Sequence, residues 1–171
     1  RDSALDFSGK TGAGIYDLFA LANRVRNKFR GNHVDLCSIV NAKSGTCPED
    51  CSFCAQSAHS RTDINVYPLI NKEKILEAAA VSKQYGVKRF CVVTSGKKPS
   101  ARELDEICVF VSELRNLGFL PCATLGMLDV EELKQLKDAG LNRYHHNLET
   151  SEAFFQEICT THTYKDKIRT I

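Results

Sequence analysis

The stretch HVDLCSIVNAKSGTCPEDCSFC, residues 33–54, joins an apolar segment to a polar loop that carries three cysteines. Residues 33–40 have the apolar and β-branched content of a strand. The loop then places Cys47, Cys51 and Cys54 in the spacing C-x3-C-x2-C. Three thiolates this close in sequence can occupy three corners of a metal centre and leave the fourth open, as in catalytic rather than structural metal sites. The stretch predicts a metal centre at the end of a strand.

The spacing of the three cysteines allows several kinds of metal site, as well as thiols that bind nothing. A structural zinc ion usually has four protein ligands, and Cys37 or His59 could supply the fourth. A bacterial ferredoxin run has x2, x2 and x3 spacing with a fourth cysteine before proline, and this loop has no such cysteine. A [4Fe–4S] cluster with three protein ligands leaves one iron open to a small molecule. The spacing and the position after a strand favour this last kind.

Apolar strands and amphipathic helices alternate along the chain. Apolar residues at helical spacing predict a first helix over residues 15–29. The later elements are predicted as helix 72–85, strand 89–94, helix 100–117, strand 119–125, helix 129–139, strand 141–148, a short helix from residue 151 and another helix from residue 165. Ser100 and Glu103 have the spacing of a capping box, and Asp129 suits a helix N-terminus. The alternation predicts a parallel sheet covered by helices.

The number of strand–helix units predicts an incomplete barrel. Four units are readable in 171 residues, whereas a complete eight-stranded barrel takes about 250 residues. We therefore predict an α/β fold that holds about the first half of a (β/α) barrel. Residues 1–14 show little periodicity and are predicted to be a loose leader. Residues 15–171 are predicted to be the N-terminal part of a single barrel domain.

A polar or glycine-bearing cluster follows every predicted strand. The cysteine loop follows the first strand, and the other three are followed by Thr94-Ser95-Gly96, Thr124-Leu125-Gly126 and Asn147-Leu148-Glu149-Thr150. The carboxyl ends of parallel strands lie at one edge of the sheet, where the active sites of such folds are found. We therefore expect these clusters to share one site.

Charge and hydropathy exclude some classes of partner. Lysine and arginine number 23 against 21 acidic residues, and no long run of one sign occurs, which gives no support to a nucleic-acid or membrane-surface role. No apolar stretch is long enough to span a bilayer, and the N-terminus has no signal-peptide core. We expect a cytoplasmic protein, whose eight cysteines bind metal or are buried. Cys108 is predicted to lie in the core, while Cys37 and Cys159 stay undecided, with burial as the default for each.

The C-x3-C-x2-C loop after a first strand resembles that of the radical S-adenosylmethionine (SAM) superfamily. The resemblance implies that Cys47, Cys51 and Cys54 bind three irons of a [4Fe–4S] cluster, and that the amino and carboxylate groups of SAM bind the fourth. An electron from the cluster would cleave SAM to methionine and a 5′-deoxyadenosyl radical. Phe53 matches the aromatic position that packs near adenine in this superfamily.

Within the superfamily, the chain resembles biotin synthases from about residue 15 to its end. The resemblance is carried in order by the strings DLCSIVNAKSGTCPEDCSFCAQS, RFCVVTSG, PCATLGML, YHHNLETS and ICTTHTY. Biotin synthases insert sulfur into dethiobiotin with two deoxyadenosyl radicals, and they take the sulfur from an auxiliary iron–sulfur cluster, here expected to be [2Fe–2S]. Cys91 and Cys122 match two cysteine ligands of that cluster. The other two ligands, a cysteine and an arginine, have no match in this chain.

Further site residues follow from the same resemblance. Asn147 and Glu149 match positions that hydrogen-bond the ribose of SAM, although the best-known members carry aspartate in place of Glu149. The methionine end of SAM is expected against three residues after the second strand: Thr94, Ser95 and Gly96. The side chain of His146 is expected to make structural hydrogen bonds. No side chain is assigned as a catalytic acid, base or nucleophile.

The resemblance also implies partners. These are dethiobiotin as substrate, an electron donor of the flavodoxin or ferredoxin type, and a second copy in a homodimer. Two alternatives to this function stay open. Another radical SAM enzyme, of the hydrogenase-maturase or methylornithine synthase type, would share the loop but would not need Cys91 and Cys122. A zinc-binding structural module would do no chemistry.

Overall fold

The computed structural model describes residues 6–171, and its contacts divide the chain after residue 34 into two compact units, the second of which is residues 35–171. The first five residues of the predicted leader lie outside the described residues. Residues 6–8 are helical, and the loose leader over residues 1–14 stays a prediction. The boundary between the units follows residue 34, and the proposal of one domain from residue 15 stays a prediction.

The first unit contains one long helix, α1, at Ala13–Arg30. Its bounds confirm the helix predicted over residues 15–29. It ends at Gly31, whose φ of 56° is easily reached only by glycine. No residue of α1 is buried, and Tyr16, Phe19 and Phe29 are all largely exposed. The spacing of apolar residues therefore predicted the helix correctly, but those residues are not buried.

The second unit is built on a parallel sheet with the strand order β1-β2-β3-β4. The strands are β1 Cys37–Lys43, β2 Arg89–Thr94, β3 Leu120–Thr124 and β4 Arg143–Tyr144. The predicted bounds of β2 are confirmed. The strand predicted over 33–40 begins and ends later, at 37 and 43.

The fourth strand is much shorter than the predicted 141–148. Its ladder with β3 has only the pairs Cys122–Arg143 and Ala123–Tyr144, and the amide of His145 donates one further bond to the carbonyl of Ala123 at 2.8 Å. The polar residues that follow lie outside the ladder, and His146, Asn147 and Glu149 line a cavity at the end of the sheet.

Helices follow each strand, as predicted. They are α2 Lys72–Gln84, α3 Ala101–Asn116 and α4 Val130–Asp138, then a 3-10 helix Glu152–Phe154, α5 Phe155–Ile158 and α6 Tyr164–Thr170. Ser100 and Glu103 form the predicted capping box of α3, and Asp129 forms another with Glu132 at α4. Such caps satisfy amide groups that have no partner within the helix.

The hydrophobic core lies between the sheet and its helices. Alternate residues of the strands enter it, including Phe90 and Val92 of β2 and Ala123 of β3. Successive side chains of a strand point to opposite faces, so the residues between them, Cys91 and Cys122, face away from the helices. No helix within residues 6–171 has the length and hydropathy that a membrane crossing requires.

Candidate metal centre and cofactor cavity

A cavity of about 250 Å³ lies at the carboxyl ends of the four strands. Residues from the cysteine loop, from each strand exit and from α6 line it. The predicted site residues on its wall are Cys47, Cys51, Phe53, Cys54, Thr94, Ser95, Gly96, Asn147 and Glu149. The structure therefore brings the predicted rim residues together, while Cys91 and Cys122 lie elsewhere.

The cysteine loop turns back on itself, so its three thiols reach one wall of the cavity. The amide of Cys54 bonds to the carbonyl of Cys51 at 3.0 Å, and the amide of Cys47 bonds to the carbonyl of Gln56 at 3.0 Å. The side chain of Gln56 also accepts a hydrogen bond from the amide of Gly45 at 2.6 Å. These bonds fix the loop without using a thiol.

The cysteine loop is also bound to residues 158–162, more than a hundred residues later in the chain. The carboxylate of Asp50 accepts bonds from the amides of Thr160 at 2.9 Å and Thr161 at 3.2 Å, and from both of their hydroxyls. The amide of Ser52 donates to the carbonyl of Ile158 at 2.9 Å. The hydrogen bonds to Asp50 hold its pKa well below its usual value of 3.8, and the bonds from Thr160 lower it most.

Glu49 lies beside Asp50 and holds a buried histidine. Its carboxylate accepts bonds from His162 Nδ1 at 2.5 Å and Thr161 Oγ1 at 2.7 Å, and Lys97 Nζ lies 3.7 Å away. Burial raises the pKa of Glu49, but the bonds from Thr161 and His162 and the charge of Lys97 outweigh it, so that pKa lies below its usual value. Glu49 is therefore ionised at neutral pH and fixes the orientation of the His162 ring.

Cys159 brings a fourth thiol against the loop. Its Sγ atom lies 3.8 Å from Cys51 Sγ and 3.2 Å from His162 Nδ1. Burial, followed by the charge of the neighbouring Cys159, raises the pKa of Cys51 to about 12. Without a bound cation, Cys51 is therefore a neutral thiol at physiological pH.

The exit of β2 is bound to the exit of β1. Ser95 donates from its amide to the carbonyl of Lys43 at 2.9 Å and from its hydroxyl to the carbonyl of Gly45 at 2.7 Å. The Oγ1 atom of Thr94 is buried and has no hydrogen-bond partner among the described residues. Gly96 has φ 107°, a conformation that favours glycine. This exit therefore offers the cavity one unused hydroxyl on a fixed backbone.

The exit of β3 passes close to that of β2 at Gly126. A Cβ atom built there would lie 2.0 Å from the carbonyl oxygen of Lys97, and φ is +86°. The next amide, of Met127, donates to the same carbonyl at 2.8 Å. Tyr144 of β4 donates from its hydroxyl to the carbonyl of Gly126 at 2.5 Å. Only glycine fits where these three exits meet, which explains on steric grounds the glycine of the string TLGML.

The exit of β4 carries His146, Asn147 and Glu149 to the cavity. Glu149 has φ 69°, which is strained for a residue with a side chain. Burial, followed by the charge of Lys167, lowers the pKa of His146 to about 4, so its ring is neutral at neutral pH. The ring bonds to the backbone of Gly126, as expected for a structural histidine, while His146 Nε2 is buried without a partner among the described residues.

The donor set of the cavity fits an iron–sulfur cluster with a polar organic ligand. Three thiols of one loop lie on its wall, which is the donor chemistry of such clusters. Within residues 6–171, the two buried side-chain polar atoms without a partner are Thr94 Oγ1 and His146 Nε2, and both residues line this cavity. Native proteins rarely leave such atoms unsatisfied, so a polar ligand between them is chemically consistent.

Cys91 and Cys122 form a second group of thiols, within the sheet. They are register partners on β2 and β3, and 4% and 0% of their surfaces are exposed. Arg89 Nη1 donates to Cys122 Sγ at 3.2 Å, and burial raises the pKa of Cys91 to about 11. The register brings both thiols to the sheet face opposite the helices.

The three remaining cysteines differ in burial. Cys159 is buried, as the default had it, and Cys108 is half-buried. Cys37 departs from that default, because this residue begins the strand at the end opposite the loop and is exposed. Neither Cys37 nor His59, the suggested fourth zinc ligands, lines the cavity. His59 Nε2 instead lies 3.3 Å from the carbonyl of Pro48.

Sequence reasoning missed three residues of the site. His162 and Lys167 line the cavity and are largely buried, and Cys159 lies behind the loop. The string ICTTHTY was noticed only as part of a family resemblance. Its polar content after a short helix was a signal, but no spacing rule connects it with a loop over a hundred residues earlier.

Comparisons with known proteins agree with this geometry. A profile described as the radical SAM superfamily matches residues 42–171. A biotin synthase from Thermodesulfovibrio yellowstonii is 50% identical over 157 residues, which are 92% of this chain and 50% of that protein. A biotin synthase from Citrifermentans bemidjiense is 46% identical over 169 residues, 98% of this chain and 52% of that protein. The chain thus spans about half the length of the curated relatives it matches.

The fold has a close match among solved structures. The crystal structure of methylornithine synthase superposes with a TM-score of 0.81 at 22% identity, and the match covers 96% of this chain and 48% of that one. At this identity the match speaks for the fold alone. Together with the four-stranded parallel sheet, it confirms the predicted α/β fold with about half of a radical SAM barrel. The profile match extends over most of the chain, and we conclude that the chain belongs to the radical SAM superfamily.

Proposed function

We propose that this chain belongs to a biotin synthase, a radical SAM sulfurtransferase that inserts sulfur into dethiobiotin to form biotin. The single observation that carries the proposal is the joint placement of two thiol groups on one sheet. Cys47, Cys51 and Cys54 line the cavity at the strand ends, and Cys91 and Cys122 are paired in the strands. The relatives of 46–50% identity bear the name biotin synthase.

The three thiols of the loop are the proposed ligands of a [4Fe–4S] cluster. When bound, that cluster supplies the open iron that holds SAM and the electron that cleaves it. The protein contributes a fixed loop, because Asp50 and Ser52 bind it to residues 158–162. A loop held from both sides keeps the three thiols converged, and metal-ligand geometry depends on such supporting contacts.

The other rim residues are proposed to hold SAM. Thr94, Ser95 and Gly96 would bind its methionine end through the unused Thr94 hydroxyl and exposed backbone. Asn147 and Glu149 would bind the ribose, since a carboxylate accepts bonds from hydroxyls. Phe53 would pack near adenine. All of these roles are supported by the shared cavity.

Two further cavity residues add to the proposed SAM site. His146, neutral at physiological pH and unpartnered at Nε2, could accept or donate a hydrogen bond to a ligand. Lys167 is buried on the wall and offers a positive charge suited to a carboxylate.

Cys91 and Cys122 are proposed ligands of the auxiliary cluster, expected to be [2Fe–2S], which supplies the sulfur. Their pairing in the register supports this role, because thiols on adjacent strands and the same face can share one cluster. Arg89, which bonds Cys122, adds a positive charge that would favour an anionic cluster. The proposed partners are dethiobiotin, an electron donor of the flavodoxin or ferredoxin type, and a second copy in a homodimer in the cytoplasm.

The first experiment is anaerobic reconstitution of the chain with iron and sulfide. We expect a brown protein that cleaves SAM when reduced. The colour should be lost in Cys47→Ala, Cys51→Ala and Cys54→Ala, and it should remain in the matched control Cys108→Ala. A colourless protein that takes up zinc but no iron would contradict the radical SAM function and favour a structural module.

The second experiment separates biotin synthases from other radical SAM enzymes. It uses the complete product of the gene that encodes this chain, and measures both SAM cleavage and biotin formed from dethiobiotin. Cys91→Ala and Cys122→Ala should retain SAM cleavage and lose biotin formation. If both replacements leave every activity unchanged and one cluster alone is bound, an enzyme of the hydrogenase-maturase or methylornithine synthase type is favoured.

A further inference from the structure

A second cluster of metal-binding side chains overlaps the proposed [4Fe–4S] triad and is formed by Cys51, Cys159 and His162. Their ligand atoms all lie within 4.8 Å of one another. Cys159 is 2% exposed, and the side chain of His162 is 3% exposed. Cys51 belongs to the triad, but the other two residues have no part in the proposed function.

The distances within this cluster suit a single thiophilic ion. For metal–sulfur bonds of about 2.3 Å, two thiolates on one tetrahedral ion lie roughly 3.8 Å apart. Cys51 Sγ and Cys159 Sγ are 3.8 Å apart. A sulfur and a nitrogen on such an ion lie roughly 3.5 Å apart. Cys159 Sγ is 3.2 Å from His162 Nδ1 and 3.8 Å from His162 Nε2, so the two observed distances lie on either side of that value.

The supporting contacts of His162 also suit metal binding. Glu49 bonds to Nδ1, and with the ring proton on that nitrogen Nε2 is the atom left to bind an ion. A carboxylate–histidine–metal arrangement of this kind is common at zinc sites, because it fixes the ring and raises the basicity of the ligating nitrogen. The ring also packs edge-on against Phe155, with centroids 5.5 Å apart. The histidine is therefore oriented before any ion binds.

We propose that Cys51, Cys159 and His162 form a zinc site with one open position, which competes with cluster assembly for Cys51. Zinc sites with two cysteines, one histidine and an open fourth position are chemically well known. Binding releases the two thiol protons to the solvent, and the two thiolates and the neutral imidazole become ligands. The ion cannot share Cys51 with a [4Fe–4S] cluster, so either the zinc ion or the cluster is bound. This site goes beyond the proposed function and does not depend on the reaction.

The test uses Zn²⁺ alone with the reduced, cluster-free chain under anaerobic conditions. We expect one ion per chain. Glu49→Gln removes a supporting residue and should lower the affinity for Zn²⁺ by about 10–100-fold. Cys159→Ser and His162→Ala remove ligands and should lower that affinity at least as much. Cys54→Ser and Cys108→Ser are the matched controls and should leave the affinity unchanged. Thermal unfolding and circular dichroism of each variant identify any that fails to fold, and Cys159→Ala then replaces Cys159→Ser.

Co²⁺ provides a second measurement, because its spectrum reports the number of thiolate ligands. Tetrahedral bands with charge transfer from two thiolates support the site. Zinc binding that is lost in Cys54→Ser but kept in Cys159→Ser would overturn the proposal, because the ion would then occupy the C-x3-C-x2-C triad. Three-thiolate charge transfer in the unaltered chain would overturn it as well.

Competition completes the test. Zinc added before reconstitution should reduce iron uptake by the unaltered chain, and it should not do so in Cys159→Ser, which keeps all three triad cysteines. If zinc inhibits iron uptake equally in both proteins, the two metals do not compete through Cys159 and the proposal fails. This result is distinct from a failure of the proposed function, in which no iron enters even without zinc.

Discussion

The chain carries two groups of cysteines that the fold holds in different ways. The loop cysteines are half-buried, lie on the wall of a cavity and depend on hydrogen bonds from residues 158–162. The strand cysteines Cys91 and Cys122 are buried, and the ladder between β2 and β3 sets their positions. A loop with open sulfurs is suited to binding and exchange of ligands, whereas thiols within a ladder are suited to a fixed and shielded group.

The largest expected effect separates the two groups by iron content. Cys54→Ser should abolish cluster binding at the rim, because the cluster then has two thiolate ligands in place of three. Cys91→Ala should leave rim cluster binding intact, since Cys91 lies outside the cavity. Iron and sulfide analysis of the reconstituted chain measures both. Equal loss of iron in the two variants would show that the two groups of thiols are not independent.

The second effect is on the stability of the metal-free protein. Here the strand cysteines should matter more than the loop cysteines. Cys122→Ala removes a fully buried sulfur and should lower the free energy of unfolding by about 1–2 kcal/mol, because it leaves a small cavity. Cys54→Ser changes a half-buried loop residue and should have a smaller effect. Chemical denaturation measures both variants. If Cys54→Ser proves the more destabilising, the rim is held by its thiols rather than by its hydrogen bonds.

A smaller effect concerns the strained rim residue Glu149. Glu149→Gly should raise the free energy of unfolding by about 1 kcal/mol, because glycine adopts its φ of 69° without strain. The same change removes the carboxylate and should weaken SAM binding, measured by calorimetry. Glu152→Gly, in the adjoining 3-10 helix, is the control and should lower stability. A loss of stability in Glu149→Gly would mean that its side chain outweighs the strain.

The smallest expected effect is on how stability depends on pH. It concerns the contacts between the cysteine loop and residues 158–162. The pKa of Asp50 is depressed in the folded state from its usual 3.8. Its contribution to stability is therefore complete above that value and is lost as the pH falls below it. Asp50→Asn should be less stable than the unaltered chain near neutral pH, and the difference should shrink below about pH 4. Denaturation across this range measures it.

Amide exchange gives the local control for the same contact. In Asp50→Asn the amides of Thr160 and Thr161 should exchange faster, since the neutral amide oxygen of asparagine is a weaker acceptor than the carboxylate. The amide of Ser95, which bonds to Lys43, should not change. A difference in stability that persists unchanged at low pH would show that Asp50 acts through something other than its charge.

Much of the fold was predictable because hydrophobic periodicity is local. The bounds of β2 and the caps of α3 and α4 follow from apolar spacing and from short-range hydrogen bonds. The length of β4 was not predictable. Whether a residue stays in a ladder depends on the neighbouring strand, and the polar residues after Tyr144 turn instead toward the cavity.

Part of the candidate site was likewise predictable from the sequence, and part was not. The spacing of Cys47, Cys51 and Cys54 indicated a metal centre with an open corner, because ligands on one loop are close in space when they are close in sequence. The exposure of Cys37 and the position of His59 could not be read from spacing. Both had seemed available as zinc ligands, and the fold directs them away from the cavity.

The sequence by itself determined the three-thiol loop, the order of strands and helices and the clusters at the strand ends, since each depends on neighbouring residues. Only the tertiary structure decided that Cys91 faces Cys122 across a ladder. It alone also placed Cys159 and His162 against the loop. These pairings join residues 31 or more positions apart, and no local propensity encodes them, because packing of the whole sheet sets the register and the contacts between loops.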